Sequence, residues 1–412
     1  MLDQYIPFVG EETINELFIL SKKLAGLKVL HVNSTYKGGG VAEILQRLVP
    51  FMNELGIKAE WKVFKGDEKF FSFTKKLHNL LHLPSEKHIS SDEFVYYLKI
   101  TYENLKGINT EDYDIIFIHD PQPMGLIINK QKNQKWIWRC HIDTSTPHPQ
   151  AWNFIENFLN SYDACIFHMP EFVYEKIEIP TYIIPPSIDP FHPKNIDLPE
   201  EEILNTLTKF GIDPEKPIIL QVSRFDRLKD PFGVFEAFKL VKRKYDCQLI
   251  LAGTFAADDP EGEEVYKEIL NLTADEKDVF ILNLPPDSHK EINALQRGAT
   301  VVVQKSLKEG FGLVVSEAMW KSKPVVGSNV GGIKRQIVHG ITGYLVESVE
   351  GAAMRIKQLL ANKNLREEMG FHAKERVKHR FLIIRHLRDY LLLIIKILGD
   401  SSKYSTLSQL SA

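Results

Sequence analysis

The chain has 412 residues, of which 51 are Lys or Arg and 54 Asp or Glu, giving a formal net charge of −3. That length exceeds one ordinary hydrophobic core and favours two domains, while the charge balance argues against a nucleic-acid backbone as the main partner. With 44% hydrophobic and 25% charged residues the composition is that of a soluble globular protein, and three scattered cysteines, Cys140, Cys165 and Cys247, supply neither a disulfide framework nor a zinc cluster. The opening residues MLDQYIPFVGEETINEL lack the basic start and apolar core of a signal peptide, so a cytoplasmic protein is expected.

From Leu27 onward, apolar runs alternate with helical patterns. The first set is 27–33, 58–64, 114–120, 135–143, 164–169 and 181–186. Continuous hydrophobicity without alternation suits strands buried on both faces of a parallel sheet. The intervening segments VAEILQRLVPFMNELG, SDEFVYYLKITYENL and PQAWNFIENFLNSY read as helices, which makes the repeating unit βαβ. The stretch 185–202 holds five prolines and no apolar period, and reads as an interdomain linker. Strand-like runs then resume at 217–224, 247–254, 279–284, 300–306, 324–329 and 342–346. The late stretch Phe381–Leu398 is strongly apolar but carries Arg385, His386, Arg388 and Asp389 at its centre, so a packed amphipathic helix is expected and a membrane span is not.

Two doubly wound sheets bind ligands at the carboxyl ends of their strands, so the motifs there matter most. The first strand runs into Gly38, Gly39 and Gly40 before a helix, an arrangement able to approach a phosphate closely. Its spacing is not that of a dinucleotide fingerprint, which disfavours hydride transfer. After the strand 217–224, Arg224 and Lys229 place two cations where a diphosphate leaving group could depart, with Arg227 a third candidate. Glu309 precedes the loop Gly310-Phe311-Gly312, and Glu317 lies in the helix that follows. A glycine loop turns N–H groups toward an anion while carboxylates hold sugar hydroxyls, so this set suits a nucleotide sugar. His119 and His141 end successive strands, with Asp143 just beyond. Asp112-Tyr113-Asp114 begins a strand and reads as a turn, and no cluster has metal-ligand spacing, so no metal site is expected.

In that order, the glycine loop, Arg224-x4-Lys229 and Glu309-x7-Glu317 resemble the retaining nucleotide-sugar glycosyltransferases of the sucrose- and glycogen-synthase group. HVNSTYKGGGVAEIL, WKVFKGDEKFFSFTKKLHN and WRCHIDTSTPHP are similar to the trehalose synthase and trehalose phosphorylase branch, most of all to archaeal trehalose glycosyltransferring synthases. The resemblance implies a GT-B-type α/β fold of two facing Rossmann-like domains with a deep interdomain cleft. It implies an acceptor domain at 1–200, to which a C-terminal helix at about 381–412 packs back, and a nucleotide-sugar domain at 201–380. It also implies transfer of glucose from a nucleoside diphosphate glucose to free glucose, giving trehalose.

Carried over position by position, the resemblance assigns Arg224, Lys229, Glu309 and His141 to catalysis. Gly39 and Gly40 would approach the donor, Gly310, Phe311, Gly312, Leu313 and Val314 would line its diphosphate and sugar, Glu317 would hold the ribose and Leu284 would lie by the base. Asp143 would bind the acceptor. No cofactor is required, although a non-essential Mg2+ is compatible, and the partners are small molecules, with a homodimer allowed. Two other readings stay open at this point: a trehalose phosphorylase using the same cations and carboxylates, and a non-catalytic sugar-nucleotide sensor.

Overall fold

All twelve apolar runs form strands, and every pairing between them is parallel. The structure, a computed structural model, describes residues 1–36, 39–82, 88–254 and 260–399. Two units result. The first spans Met1–Pro186 and takes in the helix Ile383–Gly399, and the second spans Ser187–Leu382.

In the first unit, β1 (Lys28–Asn33), β2 (Lys58–Val63), β3 (Ile115–His119), β4 (Lys135–Arg139), β5 (Ala164–Phe167) and β6 (Thr181–Ile183) lie in the order β2-β1-β3-β4-β5-β6. The chain turns outward from β1 to β2 and then crosses back to β3 on the other side. This reversal opens a crevice at the carboxyl ends of β1 and β3. Around the sheet the helices bury aromatic rings: Phe73, Tyr97, Phe154 and Phe158 interlock, with Tyr97 and Phe154 centroids 4.9 Å apart and nearly perpendicular. The helix Ser91–Leu105 is fixed at its start by a reciprocal capping box between Ser90 and Glu93.

The helix Ile383–Gly399 explains the charges inside its apolar stretch. Ile383, Ile384, Leu387, Leu391 and Ile394 face inward. Arg385 pairs with Asp389 at 2.8 Å and donates to the carbonyls of Pro185 and Pro186, while Arg388 grips both oxygens of Glu16. No helix among the described residues is long and apolar enough to cross a membrane.

The second unit repeats the plan with β7 (Ile218–Val222), β8 (Gln248–Gly253), β9 (Val279–Asn283), β10 (Val301–Gln304), β11 (Val325–Ser328) and β12 (Gly343–Val346), ordered β12-β11-β10-β7-β8-β9. Its crevice lies between β7 and β10. Most of the proline-rich stretch belongs to this unit rather than spanning between domains. Asn293 donates to the carbonyls of Pro193 and Ile196, and Arg297 to those of Asn195 and Ile196. Two non-glycine residues adopt left-handed backbone beside the crevices, Asp120 after β3 (φ 63°) and Asp230 after β7 (φ 52°).

At the end of β8 the backbone passes very close to the segment leading into Arg224: a Cβ on Gly253 would fall 1.6 Å from the Ser223 carbonyl oxygen. Replacing Gly253 by Ala should therefore lower stability by roughly 1–3 kcal/mol through overpacking. Urea unfolding at neutral pH checks this, and an unchanged midpoint would contradict the close approach.

Candidate active site

The richest chemistry lies at the crevice of the second unit. Segments after β7 and β10 are stapled together there. The Lys229 ammonium lies 2.8 Å from both oxygens of the Glu309 carboxylate, the Leu307 N–H donates to the Leu228 carbonyl, and Lys305 pairs with Asp230. Gln304 and Ser306 donate to Glu309 Oε2 as well, at 3.3 and 3.1 Å. Glu309 is thus a buried carboxylate, 7% exposed, with three donors fixing its orientation. Arg224 stands differently: its side chain is 60% exposed and 3.5 Å from Asp226. Lys229 is itself placed by Gln221, whose amide donates to its carbonyl at 2.7 Å.

The loop after Glu309 is built for close approach. Gly312 has φ 76° and caps the helix Leu313–Trp320, so the N–H groups of Leu313 and Val314, in its first turn, have no intrahelical acceptor. A second glycine pair presses against it: a Cβ on Gly331 would lie 1.7 Å from the Glu309 carbonyl, and one on Gly332 would lie 2.4 Å from Phe311 Cα. Gln336 donates to the Phe311 carbonyl at 2.6 Å and closes the loop from below. Phe311 is buried against Phe381. Glu317 follows on the helix, 5% exposed, with the Lys194 ammonium 3.9 Å away. The Lys321 ammonium donates to the Glu317 carbonyl, and burial lowers it to about 7, with Glu317 opposing the shift. Leu284, buried just beyond β9, donates its N–H to the Gly253 carbonyl.

The first unit presents a second group at its own crevice. Gly39 has φ 81° and caps the helix Gly40–Glu54, whereas Gly38 lies outside the described residues. His141 receives its place from Asp120, whose carboxylate accepts the His141 backbone N–H at 2.8 Å. Its ring sits in a row of four: His31 Nδ1 is 3.1 Å from His119 Nε2, His119 Nδ1 is 3.2 Å from His141 Nε2, and His141 Nδ1 is 3.0 Å from His168 Nε2. Asp143 accepts from the Ser145 N–H and hydroxyl, a local turn that holds its carboxylate half-buried.

Of the sequence candidates, Lys229 and Glu309 meet directly, Gly310 to Val314 form the loop beside them, and Arg224 projects from the same strand end. Arg227 does not join them. Its guanidinium turns to Glu268, donating at 2.7 and 3.1 Å, because the helix Pro260–Leu272 offers it carboxylates on the outer side. Sequence reading missed His31 and His168, which sit in or just past strands and looked like ordinary strand residues. It missed Asp120 too, although a carboxylate directly after a strand-terminal histidine was a signal. Asp112 and Asp114 form a turn: Asp114 accepts the Lys28 N–H at the amino end of the sheet, away from the crevice. No group of three or more His, Cys, Asp or Glu among the described residues could hold a metal ion.

Residues 204–376 match the family described as glycosyl transferases group 1, and residues 31–174 match the family described as trehalose synthase, N-terminal domain. Together with the two parallel sheets and the chemistry at their strand ends, these matches define a glycosyltransferase of the GT-B fold. The chain is 46% identical over 393 residues to the trehalose synthase of Thermococcus litoralis, covering 95% of both proteins. It belongs to the trehalose synthase family and is a hexosyltransferase. The trehalose phosphorylase of Grifola frondosa is a more distant relative, 28% identical over 426 residues, with 91% of this chain covered but 58% of that protein. Among solved structures, Anabaena HepE in complex with UDP and glucose superposes with a TM-score of 0.68 at 17% identity, covering 90% of this chain and all of the other.

Two outcomes follow from the electrostatics. Changing Lys229 to Met alone leaves the buried Glu309 carboxylate without its cation and should cost about 3 kcal/mol. Combining Lys229→Met with Glu309→Gln should restore most of that loss, and a double-mutant cycle of thermal unfolding measures the coupling. The second concerns acid. Burial holds the His31 imidazole at about 3, and burial, with the Arg139 cation adding to it, holds His119, His141 and His168 well below the usual 6.5. The unfolded chain binds these protons and the native one does not, so their stabilisation is whole above pH 6.5 and drains away toward pH 3. Asp120 acts oppositely: burial pushes it from 3.8 up to about 7, so its penalty grows as pH rises through that interval. Four imidazoles outweigh one carboxyl, each with a slope of up to about 1.4 kcal/mol per pH unit. Urea midpoints should fall steadily below pH 6.5, and a midpoint level from pH 7 to about 5 would contradict the buried neutral row.

Proposed function

We propose that the protein transfers glucose, with retention, from a nucleoside diphosphate glucose to free glucose, forming trehalose and releasing the nucleoside diphosphate. The observation that carries this is the meeting of Lys229 and Glu309 at the crevice of the second sheet, beside the loosely held Arg224 and the helix start at Gly312. Cation, carboxylate and unsatisfied N–H groups are what a diphosphate joined to a sugar requires.

Each residue then has a task. When the donor arrives, the Lys229 ammonium exchanges part of its contact with Glu309 for a phosphate oxygen, and the Arg224 guanidinium takes another. The N–H groups of Leu313 and Val314, with Gly310, Phe311 and Gly312, meet the diphosphate and the near edge of the sugar. Glu309, freed on one side, accepts sugar hydroxyls, Glu317 takes those of the ribose, and the base rests near Leu284. For the first unit the family resemblance proposes Gly39, Gly40 and His141 for the donor and Asp143 for the acceptor glucose.

The bond from the anomeric carbon to the phosphate oxygen breaks, and its electron pair leaves with the diphosphate. The acceptor hydroxyl oxygen attacks from the same face, and its proton passes to the leaving phosphate. No protein nucleophile is needed. The cations of Lys229 and Arg224 offset the charge that develops on the diphosphate, the largest contribution expected of any single group here. The reading requires no cofactor. Near-complete coverage of a trehalose synthase, against 58% of a phosphorylase, supports the nucleotide-dependent reaction over phosphorolysis. HepE, on the same fold, was solved with UDP and glucose, which accords with a nucleotide-sugar donor.

Mixing the protein with ADP-glucose or UDP-glucose and free glucose, without phosphate, should yield a non-reducing disaccharide and free nucleoside diphosphate in equal amounts. Changing Arg224 to Ala should lower kcat about 100-fold or more. Glucose 1-phosphate made from trehalose and phosphate, with no product from either nucleotide sugar, would move the activity to phosphorolysis. A variant with reduced affinity and no turnover to lose would indicate a sensor.

A further inference from the structure

Two ion pairs bridge the segments that leave β7 and β10 in the second unit. Beside Lys229 and Glu309, the next residue of the first segment, Asp230, pairs with Lys305 of the second. Each segment thus supplies one cation and one carboxylate. The Lys305 and Asp230 side chains are only 9% and 15% exposed, so salt and solvent screen their pair little.

Asp230 is held on more sides than an ordinary helix cap. Its backbone is left-handed, at φ 52° and ψ 53°, a conformation that a non-glycine residue keeps only where its surroundings over-determine it. Its carboxylate accepts the Gly233 N–H at 3.0 Å, and Gly233 leaves the room for it, since a Cβ there would fall 2.2 Å from Asp230 Oδ2. The peptide just before is clamped as well, by Gln221 donating to the Lys229 carbonyl at 2.7 Å. In the second segment, Lys305 stands between Gln304 and Ser306, both of which donate to Glu309 Oε2. Lys305 therefore joins the backbone that carries the ammonium to the backbone that orients the carboxylate. It does so through atoms that the Lys229–Glu309 contact does not use.

This independence matters when the donor arrives. A lysine ammonium rides on a flexible four-carbon stem, so its backbone and its partners set its place. Once Lys229 gives up part of Glu309 for a phosphate oxygen, the direct bridge weakens just as the departing diphosphate needs its cation. The Asp230–Lys305 pair takes no part in that exchange. We propose that Asp230 and Lys305 are positioning residues, a strut that holds the Lys229 ammonium at the donor's diphosphate while the Lys229–Glu309 pair opens. This rests on the reading that Lys229 binds that diphosphate. Both residues act through Lys229 rather than on the substrate.

The double change Asp230→Asn with Lys305→Met tests the strut. It removes both charges together, so no buried charge is stranded, and Asn tolerates left-handed backbone and still caps the Gly233 N–H. With a nucleoside diphosphate glucose as donor, kcat should fall about tenfold or more. The same change made on top of Lys229→Gln should cost less than about a further twofold, because a strut acting through Lys229 has no ammonium left to position. Losses that multiply in full would mark a general effect on the fold and overturn the proposal, as would a wild-type kcat in the double variant. Should the double variant fail to fold, Asp230→Asn alone carries the same cycle with an expected loss of about threefold. Titration calorimetry with ADP or UDP alone reads the positioning without turnover. The double variant should bind about fivefold more weakly than the wild type, and should add no loss in the Lys229→Gln background. A wild type that binds the nucleotide but transfers no glucose would fail the parent activity, and the calorimetric comparison would still decide the strut, unchanged affinity overturning it. A wild type that binds neither nucleotide would overturn both.

Discussion

Reversal of strand order within each sheet is the constraint on which the rest depends. A parallel sheet that grows first to one side of its opening strand and then to the other must leave its carboxyl edge open at the point of reversal. In the second unit that point lies between β7 and β10, so Lys229 and Glu309, far apart in sequence, come within 2.8 Å. In the first unit it lies between β1 and β3, which sets His31 against His119 and begins the row of imidazoles. Both crevices carry an aspartate in left-handed backbone directly beside the chemistry, Asp120 and Asp230. Neither is decorative: one holds the His141 backbone and the other caps the helix Pro231–Lys242 and pairs with Lys305.

Much of this was legible in the sequence. Strands buried on both faces leave uninterrupted apolar runs, and all twelve were recognisable for that reason. The charged centre of the final helix read correctly as packing, because Arg385 and Arg388 have carboxylates and carbonyls to meet. Spacing around Glu309 set a carboxylate and a glycine loop, a combination suited to sugar and phosphate, at a strand end, and the structure holds both there beside Lys229. The family matches agree with that class of chemistry.

What stayed illegible has a common cause. Hydrogen bonds across a sheet join residues whose separation in sequence is set by the length of the intervening helices, so no local pattern announces them. His31 and His119 are 88 residues apart, and Lys229 and Glu309 are 80. Arg227 shows the reverse error: local spacing made it a fellow of Arg224, but an acidic helix elsewhere in the fold claimed it. The proline-rich stretch does hold the division between the two units, after Pro186, but prolines mark a lack of regular structure and say nothing about which body the rest of the segment packs on. Asn293 and Arg297 decide that through its carbonyls.

Lys229 and Glu309 satisfy each other, and on this account donor binding trades part of that pairing for phosphate and sugar oxygens. The most direct measurement is a crystal structure with a nucleoside diphosphate glucose bound. The account predicts a phosphate oxygen within hydrogen-bonding distance of Lys229 Nζ and of the Arg224 guanidinium, with Glu309 turned to sugar hydroxyls. A donor bound elsewhere, with the Lys229–Glu309 pair still closed, would contradict it.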